Sequence, residues 1–141
     1  MRATTAIVAI GSLAAVTAGV SVAQAAPTAM QPKKVQVIKV VSTKHFGKIL
    51  SKKATGRSLY YMPSGTCTGP CLPIWPPMLL PKGSTFKPTG AMCLGTVMFA
   101  GRRQVTYRGH RLYTFADDTG STPTGNGEGG FVVAKVKTGA C

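Results

Sequence analysis

After residue 32 the chain is interrupted every few residues by Gly, Pro or Ser, with 17 Gly and 10 Pro in 141 residues. No later segment sustains the 3.6-residue period of an amphipathic helix. The apolar residues come instead in short runs of β-branched and aromatic types between turn residues. Such a pattern predicts a small all-β domain. Lys33–Val41, with Val35, Val37, Ile38, Val40 and Val41, reads as its first strand. Gln104–Tyr107 and His110–Phe115 flank Arg108-Gly109, and Gly at the second turn position accepts the positive φ of a tight hairpin. That turn predicts Tyr107 opposite His110 and Val105 opposite Leu112, with Tyr113 and Phe115 on the other face. Both faces then carry large apolar groups, so the sheet should be covered on both sides. Gly120–Gly130 reads as a long flexible loop and Phe131–Val136 as a closing strand.

The chain also echoes itself. Phe46-Gly47-Lys48-Ile49-Leu50 followed by Gly56-Arg57-Ser58-Leu59-Tyr60 resembles Leu94-Gly95-Thr96-Val97-Met98 followed by Gly109-His110-Arg111-Leu112-Tyr113. The expected architecture is therefore two related β-hairpin or sheet units packed together, with units near 45–93 and 94–137 inside a domain spanning 33–141.

Met1-Arg2, an uncharged apolar stretch from Ala3, and the close Ala23-Gln24-Ala25 describe a cleaved secretory signal over 1–25. Residues 26–32, with two prolines, form a flexible lead-in. The expected location is the periplasm or the extracellular space. Cys67, Cys71, Cys93 and Cys141 follow the cleavage point, and an even count in an exported chain favours disulfides. Three connectivities are open; Cys67–Cys71 with Cys93–Cys141 is the favoured one, since the near pair can bridge within one turn. No cysteine precedes Cys67, so no lipid anchor is expected.

Charge is the unusual property. Between Ala26 and Ala116 there are fourteen Lys and Arg and no Asp or Glu, and the formal net charge is +14. A field of that sign attracts polyanions such as anionic envelope polymers or lipid head groups; sequence-specific nucleic-acid binding is not expected. Lys33, Lys34, Lys52, Lys53, Arg102, Arg103, Arg108 and Arg111 fall near expected strand starts or turns, where charges reach solvent. The last six are the strongest polyanion-binding candidates.

Val105–Asp118 (V-T-Y-R-G-H-R-L-Y-T-F-A-D-D), together with Cys67-Thr-Gly-Pro-Cys71 and Trp75-Pro76-Pro77, resembles the secreted-repeat family. Members of that family are often predicted lipoproteins of unknown function, with a Tyr-x-aromatic-x-x-Asp signature. Tyr113, Phe115 and Asp118 fit the signature, and the resemblance spans roughly 46–136. In the first copy Tyr60 is kept, but Met62 and Gly65 stand where the aromatic and Asp would be. The resemblance implies export without an established activity.

Alternating positions put Tyr113 and Phe115 on one strand face, and Asp118 opens the turn beyond, suited to accepting backbone N–H groups. Trp75-Pro76-Pro77 reads as a buried indole on stiff extended backbone. His45 and His110, with Cys67, Cys71, Met62, Met78, Met92 and Met98, could supply soft ligands to copper or axial ligands to haem. A periplasmic metal- or haem-linked electron-transfer protein is thus the alternative reading, although neither a two-histidine motif nor a haem-attachment motif occurs. Asp117, Asp118 and Glu128 fit no calcium loop. No nucleophile elbow, phosphate-cradling loop or separated carboxylate pair is present, so neither an enzyme nor a bound cofactor is expected. The sequence reads best as a non-enzymatic envelope or extracellular protein that holds polyanions.

Overall fold

A computed structural model describes residues 11, 19–27, 31–87 and 91–141. Residues 1–10, 12–18 and 28–30, which hold most of the predicted signal and lead-in, lie outside them, as do 88–90. By internal contacts the chain divides at Met30, and Gln31–Cys141 forms one unit. The described positions before it, 11 and 19–27, are exposed and form neither helix nor strand.

The unit is all-β. Among the described residues there are nine short strands, no α-helix, and two single 3₁₀ turns at Gly69–Cys71 and Glu128–Gly130. The run expected as one strand over 33–41 is two. β1 (Lys33–Val35) lies parallel to β5 (Ser84–Phe86), whereas β2 (Ile38–Thr43) forms an antiparallel hairpin with β3 (Gly47–Lys52). A second hairpin joins β6 (Leu94–Phe99) to β7 (Arg102–Tyr107), and β8 (His110–Arg111) adds to β7 across the Arg108-Gly109 turn. Both turn residues have positive φ, 49° and 84°, as a two-residue primed turn requires. Tyr107 does face His110, and the Leu112 N–H donates to the Val105 carbonyl at 2.9 Å.

Beyond Arg111 the chain leaves β7 and meets the other half. Tyr60, in β4 (Tyr60–Tyr61), and Tyr113 exchange both backbone N–H···O bonds at 2.9 Å, the signature of an antiparallel pair related by a local two-fold axis. The surrounding bonds obey that relation. Leu59 donates to Leu50 as Leu112 donates to Val105; Leu50 donates to Ala134 as Val105 donates to Met78. Ala134 donates to Leu59 as Met78 donates to Leu112, and Val136 donates to Lys48 as Leu80 donates to Arg103. Each half therefore lends an extended segment to the hairpin of the other: residues 77–80 lie against β7, and residues 132–136, including β9 (Val132–Val133), lie against β4 and β3. These bonds match β6 to β2 and β7 to β3, so the Leu94–Met98 echo of Phe46–Leu50 joins strands that are not equivalent. The Gly-x-x-Leu-Tyr echo marks matching positions. A repeated apolar-Gly-x-apolar string fits either strand of a hairpin, which is how it misleads.

The core has two parts, as two-sided burial requires. Ile38, Leu50, Leu59, Met78, Leu80, Val105, Tyr107, Leu112 and Ala134 make the first cluster; Ile49, Tyr60, Cys67, Trp75, Tyr113, Phe131 and Val133 make the second. Trp75 stacks on Phe131 with ring centroids 3.8 Å apart. Tyr60 meets Trp75 edge-on at 5.3 Å, and Tyr113 meets Phe131 edge-on at 5.3 Å. The two-fold relation thus extends into the aromatic packing.

Candidate functional site

Three sets of residues qualify on sequence grounds, and the fold treats them differently. The first is Tyr113, Phe115 and Asp118. Tyr113 is buried and its hydroxyl accepts the Cys67 N–H at 3.2 Å. Phe115 lies against Trp75 at 4.6 Å. Asp118 is fully buried, while adjacent Asp117 is exposed. Its Oδ1 accepts the Thr124 N–H at 3.1 Å and the Thr124 hydroxyl at 2.7 Å, and its Oδ2 accepts the Tyr60 hydroxyl at 2.7 Å. Burial pushes the Tyr60 phenol well above its usual value, and the hydrogen bond to Asp118 and the carboxylate charge push further in the same direction. Every strong acceptor of this carboxylate faces a protein donor, so the cluster is built as a brace.

The brace also revises the reading of Gly120–Gly130 as a flexible loop. The Gly125 N–H donates to the Tyr60 hydroxyl at 3.2 Å, and the Val133 N–H donates to the Asn126 side chain at 2.9 Å. A Cβ on Gly125 would come within 2.8 Å of both Phe115 and Trp75, so a side chain there would displace the aromatic stack. Glycine here serves the close approach of backbone to the rings.

The second set is the soft-ligand residues. Cys67 is bonded to Cys71 and Cys93 to Cys141, the pairing favoured by spacing, and no described cysteine is free. His110 stacks on Tyr61 at 4.7 Å, and His45 lies in the β2–β3 turn. No group of three or more His, Cys, Asp or Glu among the described residues is placed to share a metal ion, so Asp117, Asp118 and Glu128 do not converge. Nothing in this arrangement supports the electron-transfer alternative.

The third set is the basic residues. Lys52, Lys53 and Arg102 line a cleft of about 620 Å³ together with Gln36, Val37, Ala54, Met78, Leu79 and Pro81. Arg102 and Pro81 are shared with an adjoining cleft of about 330 Å³ that adds Lys82 and Arg103. Neither cleft is lined by Asp or Glu. Four of the six predicted cations therefore meet on one face. Arg108 and Arg111 do not join them: Arg108 donates to the Ala140 carbonyl at 2.6 Å, and Arg111 donates to the Gln104 side chain at 2.9 Å. Lys82 and the apolar floor were not singled out by the sequence. Pro81-Lys82-Gly83 is legible as a turn, but its place beside Arg102 depends on residues 77–80 crossing to β7.

The segment carrying β7, β8, Tyr113, Phe115 and Asp118 also decides the comparison with known proteins. Residues 99–133 match the family described as a secreted repeat of unknown function. The matched segment lies in the second half of the domain, a shorter span than the 46–136 over which motifs are legible. The family description and the two disulfides agree with export. No curated protein and no solved structure matches the chain. Among the described residues no helix is long and apolar enough to cross a membrane.

Proposed function

We propose that this chain is a non-enzymatic anion-binding protein of the periplasm or extracellular space, which holds envelope polyanions on the face carrying Lys52, Lys53, Lys82, Arg102 and Arg103. The supporting observation is the joining of two clefts through Arg102 and Pro81, with five cations and no carboxylate along their walls. In a chain with 17 basic and three acidic side chains, like charges gathered on concave surface focus the field and raise the local anion concentration. The aromatic–Asp118 cluster then serves to hold the two halves in register.

Retention on immobilised dextran sulfate tests the reading. Salt should elute the protein steeply, because the screening length falls from about 10 Å at 0.1 M to about 3 Å at 1 M. Replacing Lys52, Lys53, Arg102 and Arg103 together with Gln should move elution to much lower salt. A charge-matched set of four changed elsewhere (Lys44, Lys48, Lys135 and Lys137 to Gln), none of which lines either cleft, should move it less. Equal shifts for the two sets would reduce the face to general positive charge and reject the proposal.

A further inference from the structure

The two-fold relation supplies a control for the larger cleft, because the other half contains its counterpart. Lys52 stands opposite Ile38 at the end of one hairpin, and Tyr107 stands opposite Leu94 at the end of the other. Lys53 thus corresponds to Arg108, and Pro81, which follows Leu80, corresponds to Lys137, which follows Val136. The counterpart space, lined by Tyr61, Tyr107, Arg108, His110, Lys137 and Cys141, holds only about 140 Å³. Tyr107 is buried in it, its hydroxyl accepting the Lys137 N–H at 2.8 Å. The Cys93–Cys141 disulfide and the Arg108–Ala140 bond draw the C-terminus in beside it. One architecture is therefore plugged on one side and open on the other, so the open cleft is not a gap that the fold must leave.

The open cleft is amphipathic. Val37, Ala54, Met78, Leu79 and Pro81 give it apolar walls, and Lys52, Lys53 and Arg102 give it positive ones. Two of the cations are already held: the Arg102 guanidinium donates to the Leu80 carbonyl at 3.0 Å, and the Lys53 ammonium donates to the Gln36 side chain at 3.3 Å. Donors held before binding lose less freedom when a ligand arrives. The volume of about 620 Å³ is of the size that holds small organic ligands, roughly 300–1,000 Å³.

We propose that this cleft binds one single-chain anionic amphiphile, its carboxylate, sulfate or phosphate head against Lys52, Lys53 and Arg102 and its alkyl chain along Val37, Met78, Leu79 and Pro81. The proposal goes beyond polyanion binding, which needs the charges and has no use for the apolar walls.

Dodecanoate below its micellar concentration is the probe, titrated into the full mature protein by calorimetry and by NMR shift mapping. One molecule should bind per chain, with shifts confined to residues lining the cleft. Dodecyl maltoside, with the chain but no charge, and butanoate, with the charge but little chain, should each bind at least about tenfold more weakly, the equivalent of one lost charge or apolar contact set. Lys52→Gln with Lys53→Gln should weaken dodecanoate by about tenfold, whereas Lys44→Gln with Lys48→Gln should leave it unchanged. Ala54→Trp places a ring at the exposed rim, so it should abolish dodecanoate binding while dextran sulfate retention stays intact. Several molecules per chain, equal affinity for dodecyl maltoside or butanoate, or binding only to phosphatidylglycerol vesicles would each overturn the proposal. Failure of dodecanoate with retention on dextran sulfate preserved would leave the polyanion reading standing alone.

Discussion

The two halves of the domain make the same aromatic contact and close the loop behind it by different means. After Tyr113 the chain is closed by a buried carboxylate: Asp118 gathers Thr124 and, across the two-fold axis, the Tyr60 hydroxyl. After Tyr60 the corresponding stretch is closed by the Cys67–Cys71 disulfide, and it returns a single backbone donor, the Cys67 N–H, to the Tyr113 hydroxyl. Each tyrosine is thus capped by the loop of the opposite half. A covalent bridge needs no buried charge, so the first copy functions with Gly65 where the second has Asp118. The departure from the Tyr-x-aromatic-x-x-Asp pattern in the first copy is a change of fastening, and the core it fastens is shared.

The halves differ again at their outer ends, where the second is stapled by Cys93–Cys141 and the first is open. Removing that staple should be the most damaging change, since it closes the longest loop. Cys93→Ser with Cys141→Ser should cost about 4 kcal/mol in urea unfolding on the chain-entropy estimate for its sequence separation of 48. The same variant should enlarge the space around Tyr107, making the plugged side more like the open one. A loss under 1 kcal/mol would mean that the Tyr107–Lys137 and Arg108–Ala140 contacts hold the last residues without the disulfide.

Next in size is the carboxylate brace. Asp118→Ala leaves the Tyr60 hydroxyl and the Thr124 N–H without their acceptor in a buried setting, with an expected cost of about 3 kcal/mol. Asp118→Asn keeps an acceptor and should cost less. If the two variants are equal, the charge matters more than the hydrogen bonds. Cys67→Ser with Cys71→Ser opens a loop of sequence separation 4 and should cost about 2 kcal/mol. The two fastenings would then be shown unequal, with the carboxylate the stronger.

Comparable in size to that bridge at neutral pH is Tyr60→Phe, about 1.5–3 kcal/mol for a hydroxyl bonded to a charged acceptor, and its cost should vary with pH. The folded phenol value lies above the ordinary value of 10.0. The folded protein therefore holds this proton more tightly than the unfolded chain does. Its contribution is complete below pH 10 and is lost as pH rises from there toward the folded value. The stability gap between wild type and Tyr60→Phe should accordingly be constant from pH 7 to 9 and shrink above 10. A gap that widens on the alkaline side would reverse the assignment of the proton.

Local chemistry determined a good deal by itself. Arg108-Gly109 specified its hairpin register because a two-residue turn leaves one pairing open, and the positive φ it needs is inexpensive for glycine. The alternation of Tyr107, Leu112 and Tyr113 assigned those side chains to opposite faces because strand geometry has period two. The Tyr60 and Tyr113 echo located the two matching positions, although the strings before them were paired out of register. Other features were decided only by tertiary structure. Residues 77–80 and 132–136 cross to the opposite hairpin, and no local pattern distinguishes a strand that pairs with its own half from one that pairs with the other. That exchange places Asp118 against Tyr60, Cys67 against Tyr113, and Pro81 beside Lys52 and Arg102. The run of basic residues announced a positive surface. Which of those charges share a cleft, and which are tied to Ala140 or Gln104, follows from long-range pairing, because side chains far apart in sequence become neighbours only when the backbone hydrogen bonds of the sheet are complete.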